Sequence, residues 1–227
     1  MDTWDPHEPW NPPPWYTELY YPNYEWKGYL EERHPSYWTW KDGVDNMLPK
    51  EAERQLMTEE KLKIAHACYC GEVTMVDRWV GYLLENIEAM NLMNKTVIIF
   101  TSDHGFYFGE HGYFGKGMHK AGKWYRSPLY EEITRVPLLM HAPGTKAQRA
   151  KALVSVADLM PTVLELAGLE IPAAVQSRSL VPALEGKPTD QDFVVSSWPL
   201  YRLGEVTKAK DHYERRIAEP FPSTITT

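Results

Sequence analysis

Three short segments hold residue types and spacings that could do chemistry. The first is Thr101-Ser102-Asp103-His104-Gly105, directly after the apolar run Val97-Ile98-Ile99-Phe100. A carboxylate and an imidazole side by side can converge on one cation if the backbone turns there, and Gly105 permits such a turn. Asp is a hard oxygen ligand and His a nitrogen ligand, so calcium, magnesium, manganese and zinc all fit the pair. The plain alternative is a turn Asp beside a satisfied His. The second segment runs from Trp4 to Pro13 and holds His7 between prolines and indoles. An imidazole held there could donate to an anionic oxygen or act as a general acid, or it could simply pack among aromatics. The third is Gly109-Glu110-His111-Gly112-Tyr113-Phe114-Gly115-Lys116. A Lys in a Gly-rich loop suits an oxyanion, because ammonium is a compact charge with three donors; the commoner fate of Lys is a solvated surface. Lys120, Lys123 and Arg126 follow, and a cationic cluster in an acidic chain would attract an anionic substrate.

These segments need elements to hold them. The first 40 residues contain 6 of the 9 Trp, 6 of the 14 Tyr and 7 of the 18 Pro. Such a stretch is neither a regular helix nor a typical disordered tail, so it reads as extended chain that packs on something, with short helical turns around Trp15 to Tyr21. Asp42-Gly43 marks a turn. Residues 58 to 93 form the clearest helix, with Thr58 as its N-cap and Glu59-Glu60 in its first turn. Ile64, Cys68, Met75, Trp79, Leu83, Ile87 and Met90 make its apolar stripe, which places Cys68 and Cys70 as core and near-core residues.

Beyond that helix, Thr96 to Phe100 suits a buried parallel strand whose C-terminal end carries the Asp103-His104 pair, where ligands sit in open α/β sheets. Residues 105 to 130 read as a long functional loop. Arg135 to Met140 reads as a second buried strand and Val154 to Ala167 as a helix, with Asp158 near its start, Pro161 in its first turn and Gly168 as its stop. Asp192 to Ser197 is a short strand, and a last helix is expected from Leu203 to about Glu219. Alternating helices and buried strands say α/β.

Composition excludes other classes. The chain has 227 residues, 43% of them hydrophobic, enough for a real core. With 24 basic against 31 acidic residues and a net charge of −7, it is a poor candidate for a nucleic-acid partner. No apolar run approaches the roughly 20 residues of a membrane span, and no signal peptide precedes the first segment, so the chain as given reads as cytoplasmic. Two cysteines in a Cys-x-Cys pair make neither a disulfide framework nor a good zinc site.

Taken in order, the segments resemble the sulfatase family of the alkaline-phosphatase-like superfamily. The matching stretches are Asp5-Pro-His7-Glu-Pro-Trp-Asn-Pro-Pro, Thr101-Ser-Asp103-His104-Gly105, Gly109-Glu-His-Gly-Tyr-Phe-Gly-Lys116, Leu129-Tyr-Glu-Glu-Ile-Thr-Arg-Val-Pro-Leu and Ala157-Asp-Leu-Met-Pro-Thr-Val-Leu-Glu-Leu-Ala-Gly. The resemblance implies a metal-dependent hydrolase of sulfuric esters acting on an anionic sulfate-ester small molecule or glycan. Asp103 and His104 match the family's metal ligands, usually for calcium. Lys116, thirteen residues after Asp103, matches its sulfate-binding Lys. His7 matches the His of its Pro-His-x-Pro loop, which contacts the sulfate or protonates the leaving group. Asp5 and His111 flank these matches, and His119 or Lys120 could also reach the site. Trp4, Trp10 and Trp15 could stack on an aryl or sugar group or serve as packing.

The resemblance also implies a gap. The family's formylglycine nucleophile arises in a Cys-x-Pro-x-Arg or Ser-x-Pro-x-Arg segment, and neither occurs here. Its paired N-terminal Asp ligands have no match ahead of His7. The chain therefore resembles the C-terminal half of a sulfatase. The expected fold is a partial alkaline-phosphatase-like α/β/α sandwich with a mostly parallel sheet and a long irregular N-terminal segment. Residues 1–190 would form the partial catalytic domain and 191–227 a strand and helix extension. Such a half sheet would expose an edge and an apolar face and favour aggregation. Two further functions stay open: a phosphodiesterase or phosphonate-ester hydrolase of the same superfamily, and a non-catalytic remnant that keeps the anion-binding residues.

Overall fold

The computed structural model describes residues 3–8, 10–22, 59–116, 118–120, 123–125, 127–198 and 223–227. The Asp42-Gly43 turn, the Thr58 cap and the expected helix from Leu203 lie outside the described residues. In chain order the helices are α1 (Pro14–Thr17), α2 (Glu59–Ala89), α3 (Glu131–Thr134), α4 (Leu159–Leu166) and α5 (Val181–Leu184). The strands are β1 (Ile98–Thr101), β2 (Tyr107–Phe108), β3 (Phe114–Gly115), β4 (Met118–Lys120), β5 (Lys123–Tyr125), β6 (Leu138–His141), β7 (Val194–Ser197) and β8 (Ser223–Thr226). Two compact units result: residues 1–92 with 106–127, and residues 93–105 with 128–227.

The first unit is built on α2. Its core gathers Trp10, Ala65, Cys68 and Phe114, with Leu62, Ile64, Tyr69, Phe106 and Phe108 packed around them. The Trp10 ring lies 4.7 to 6.3 Å from the rings of Phe106, Phe108, Tyr69 and Phe114, two of these contacts at 4.7 and 5.0 Å. Edge and tilted packing of this kind adds to the area each aromatic ring buries. Of the three tryptophans that could serve a ligand or the core, Trp10 is therefore core, whereas Trp4 and Trp15 are exposed. Helix α1, started by Pro14 at its first position, crosses α2 at Gly71. A Cβ on Gly71 would lie 3.1 Å from Pro12, from Tyr16 and from Thr17, so the close crossing leaves little room for a side chain there. Past the crossing, Tyr20 Oη donates to Thr74 Oγ1 at 2.6 Å, and Thr74 in turn donates to the Cys70 carbonyl at 2.9 Å.

The apolar stripe of α2 is only half used. Ala65, Ala67, Cys68, Gly71 and Glu72 are its buried residues. Further along, Trp79, Tyr82, Leu83 and Met90 are exposed. The 3.6-residue period locates the stripe correctly, but burial depends on what lies opposite it. Cys68 is buried, as expected for a core cysteine. Cys70 is half-buried, and burial pushes its thiol up, away from a reactive thiolate. The segment after residue 105 is more regular than the long loop its glycines suggest. It contains the antiparallel pairs β2–β3 and β4–β5.

The second unit holds β1 against β6, with Ile98 opposite His141 and Phe100 opposite Leu139. His141 reaches back to the Met93 carbonyl at 3.0 Å. A capping box starts the next helix: the Asp158 carboxylate accepts from Ser155 N–H at 2.8 Å. Its other oxygen accepts from Arg178 N–H at 3.1 Å. Thr162, buried one turn later, accepts from Leu180 N–H at 2.8 Å. One buried carboxylate and one buried hydroxyl thus tie α4 to the approach to α5. Gly168, at φ +70, stops the helix as expected.

Helices and strands are mixed, as the α/β class expects. Strand direction differs from expectation: all four ladders among the described residues are antiparallel, including β1 with β6. A short β-branched run specifies a strand but carries no information on the direction of its partner. Phe100 is also exposed rather than covered on both faces. Strand β7 pairs with β8.

Candidate active site

His7 sits on a loop fastened at three points. Its own N–H donates to the Trp4 carbonyl at 2.9 Å. The Trp10 indole N–H donates to the Pro6 carbonyl at 3.0 Å. Asn11 N–H donates to Glu72 Oε1 on α2 at 2.8 Å. The loop is thus anchored by a core aromatic on one side and a buried carboxyl on the other.

Lys116 follows β3 at the end of a Gly-rich turn. Gly109, Gly112 and Gly115 have φ of 116, 79 and 103, values that L side chains rarely adopt. The Glu110 carboxylate accepts from Phe108 N–H at 2.6 Å and tightens the turn. Ser127 Oγ donates to the Lys116 carbonyl at 3.0 Å.

These two supports bring the side chains together. His7 Nδ1 lies 2.5 Å from the Glu8 carbonyl; since a carbonyl only accepts, Nδ1 carries the hydrogen and Nε2 is left as an acceptor. Lys116 Nζ donates to that Nε2 at 2.5 Å. The Glu8 carboxylate completes the group, with Oε1 3.3 Å from Lys116 Nζ and Oε2 3.5 Å from His7 Nδ1. Trp4 tilts over the imidazole, its ring centroid 4.1 Å away, and is itself 71% exposed. An ammonium, an imidazole and an exposed indole therefore share one partly open surface, with one carboxylate balancing their charge.

Asp103 and His104 form the second group, in the other unit, at the end of β1. Asp103 Oδ1 accepts from His104 N–H at 2.9 Å, and Ser102 Oγ donates to the His104 carbonyl at 3.0 Å. His104 Nδ1 donates to the Gly105 carbonyl at 2.9 Å, which leaves Nε2 as an acceptor 3.7 Å from Asp103 Oδ2. A hard oxygen and a nitrogen lone pair thus face the same region, on a side chain 86% exposed for Asp103. Gly105 matters for space rather than for torsion. Its N–H donates to the Ile133 carbonyl at 2.8 Å, and a Cβ would fall 1.9 Å from the Glu132 carbonyl oxygen. The pair fits a divalent cation as part of a shell only. Calcium takes six to eight ligands, and among the described residues no group of three or more His, Cys, Asp or Glu gathers.

Of the flanking positions, His111 is exposed and points its ring toward Tyr107 at 6.3 Å, in the left-handed region at φ 55. The side chains of His119 and Lys120 lie outside the described residues. Two members of the site were not among the expected residues. Glu8 pairs with both His7 and Lys116, and its place inside the Pro-His-x-Pro loop was the signal. Glu72, 1% exposed, supports the loop from beneath, and only a charge amid small buried residues on α2 hinted at it.

The family model described as Sulfatase matches residues 3–169. The chain belongs to the sulfatase family. It is 29% identical over 216 residues to an arylsulfatase of Clostridium perfringens, covering 92% of this chain and 40% of that protein. It is 37% identical over 155 residues to an N-acetylglucosamine-6-O-sulfatase of Bacteroides thetaiotaomicron, covering 66% of this chain and 26% of that one. Among solved structures, the phosphonate monoester hydrolase of Silicibacter pomeroyi superposes with a TM-score of 0.54 at 29% identity, over 69% of this chain and 30% of that one. The chain thus spans less than half the length of these relatives. No helix among the described residues is long and apolar enough to cross a membrane.

Proposed function

We propose that this sulfatase-family chain carries the anion-binding and proton-handling part of a sulfuric-ester hydrolase. The observation that carries the reading is the 2.5 Å contact between Lys116 Nζ and His7 Nε2, reached across two separate loops. An ammonium beside an imidazole is suited to an ester of a strong acid. Lys116 would hold a non-bridging oxygen of the sulfate and stabilise charge that grows there. His7, with Nδ1–H fixed on the Glu8 carbonyl, would take up a proton at Nε2 when Lys116 turns to the sulfate and pass it to the leaving oxygen as the bond to sulfur breaks. The indole of Trp4 offers a face for an aryl or sugar group next to the ester. The 227 residues contain no Cys-x-Pro-x-Arg or Ser-x-Pro-x-Arg segment, so this reading gives them substrate charge and proton transfer and not the nucleophile.

Asp103 and His104 would hold a divalent cation, calcium first, together with donors beyond this pair. The N-acetylglucosamine-6-O-sulfatase among the relatives supports a sulfated sugar as the substrate class. The likeness to a phosphonate monoester hydrolase supports a second reading, hydrolysis of a phosphonate or phosphate diester, which carries the same single negative charge.

The test is binding of para-nitrophenyl sulfate against para-nitrophenyl phenylphosphonate, before and after Lys116→Ala. Preference for the sulfate, lost with Lys116, supports the first reading, and preference for the phosphonate supports the second. If Lys116→Ala left affinity for both esters unchanged, neither reading would survive.

A further inference from the structure

Glu72 is a buried acid with an unusual set of neighbours. It lies 1% exposed on α2, beside Gly71 where α1 crosses. Oε1 accepts from the Asn11 amide at 2.8 Å. Oε2 is closed off from solvent and meets no donor. An ionised carboxylate with a bare buried oxygen is costly. Asp5, two residues before His7, is the charged group that acts on this carboxyl, through both its field and a shared hydrogen bond. Two carboxylates cannot satisfy each other, because both only accept. One proton between them would remove the conflict, with Oε2–H donating to Asp5 while Oε1 still accepts from Asn11.

We propose that Glu72 is a positioning residue whose protonated carboxyl bridges the Asp5 side chain and the Asn11 amide, and so latches the His7 loop onto α2. The two bridged residues flank His7 on either side, so the latch holds both ends of the segment that delivers the imidazole to Lys116. Losing the proton places two negative charges together under the loop and loosens it. Burial and Asp5 both favour the protonated form, with burial the larger cause. The other elements packed on α2 bring Tyr16 from α1 and Tyr107 from β2 as their titratable side chains. The importance of the latch for catalysis rests on the reading of His7 as a site residue, but its existence does not.

The experiment is amide hydrogen exchange of the whole chain at about pH 6 and about pH 8, corrected for intrinsic exchange, at the His7 and Asn11 amides. Both amides are hydrogen-bonded donors, to the Trp4 carbonyl and to Glu72. In the wild type their protection should fall roughly tenfold or more between the two conditions. In Glu72→Gln, whose amide both accepts and donates without titrating, protection should stay level. In Glu72→Ala it should be low at both. A pH response in Glu72→Gln equal to that of the wild type, or no response in the wild type, would overturn the latch. Asp5→Asn is the second arm, and it keeps the proposal open to refutation even if Glu72→Gln does not fold. Removing the like charge should carry wild-type protection to higher pH, and an unchanged response would again overturn it. Hydrolysis plays no part in the readout, so failure of the latch leaves the sulfatase reading in place, and the reverse holds too.

Discussion

His7 and Lys116, 109 residues apart in the chain, place an imidazole acceptor 2.5 Å from an ammonium donor. Neither side chain reaches the other through regular structure. One hangs from a Pro-rich loop held by Trp10 and Glu72, and the other from a turn that needs three left-handed glycines. The contact therefore reports directly on whether both loops are in place.

Joined to a segment that supplies the nucleophile, Lys116→Ala is expected to lower kcat/KM toward aryl sulfates by roughly a hundredfold or more, the cost of removing one donor from a developing oxyanion. Thermal stability should change little, since the side chain is partly exposed and reaches solvent. Steady-state kinetics beside a melting curve checks both halves. A loss smaller than about tenfold would take the sulfate-ligand role from Lys116.

In the same nucleophile-supplied form, His7→Ala should hurt esters with poor leaving groups more than activated aryl sulfates, because only the former need a proton at the bridging oxygen. A plot of log kcat/KM against leaving-group acidity should steepen in the variant. Parallel lines would leave His7 as an anion contact without proton transfer.

Glu72 should make the chain's stability depend on pH. Burial first, and Asp5 after it, push its carboxyl from an ordinary 4.5 up to about 7, against the downward pull of the Asn11 hydrogen bond. A folded-state value raised above the unfolded one contributes stability that is complete below about 4.5 and is lost as pH rises through about 7. The gap corresponds to on the order of 3 kcal/mol. Glu72→Gln should therefore match the wild type near the acid end and exceed it at about pH 8, by up to that amount. Urea unfolding at the two ends checks this, and curves that stay parallel across the range would remove the assignment.

Two glycines should respond to alanine in opposite directions. At Gly105 the new Cβ would meet the Glu132 carbonyl oxygen at 1.9 Å, so Gly105→Ala should cost about 1–3 kcal/mol and displace the Asp103-His104 turn. At Gly81, on the open side of α2, a Cβ meets nothing within 4 Å, and Gly81→Ala should gain up to about 1 kcal/mol. Denaturant midpoints of the pair make the comparison, and a loss at Gly81 as large as that at Gly105 would contradict the packing described.

Much of this site was legible in residue types. Prolines around His7 and glycines before Lys116 announce stiff, special backbone, and both positions prove to be where the side chains meet. The helix from residue 59 and its stripe were legible too, since period follows from helix geometry alone. The extent of burial was not. Cys68 and Trp79 sit on the same stripe, yet one is core and the other exposed, because burial depends on an opposing surface that periodicity does not describe. Strand direction at Phe100 escaped for the same reason. Glu72 escaped for a different one: a Glu within a helix reads as solvent-facing, and only the Asn11 amide and Asp5, more than sixty residues away, make it a buried acid.

Trp4 tilts over the His7 ring at 4.1 Å while staying open to water. An indole so placed senses the charge of the imidazole beneath it, because a cation under its face perturbs the excited state. The site thus carries its own optical gauge. The part of the emission that vanishes in Trp4→Phe should change when an anion draws Lys116 away from the imidazole. The loop's electrical state can then be followed by light alone, with no ester cleaved.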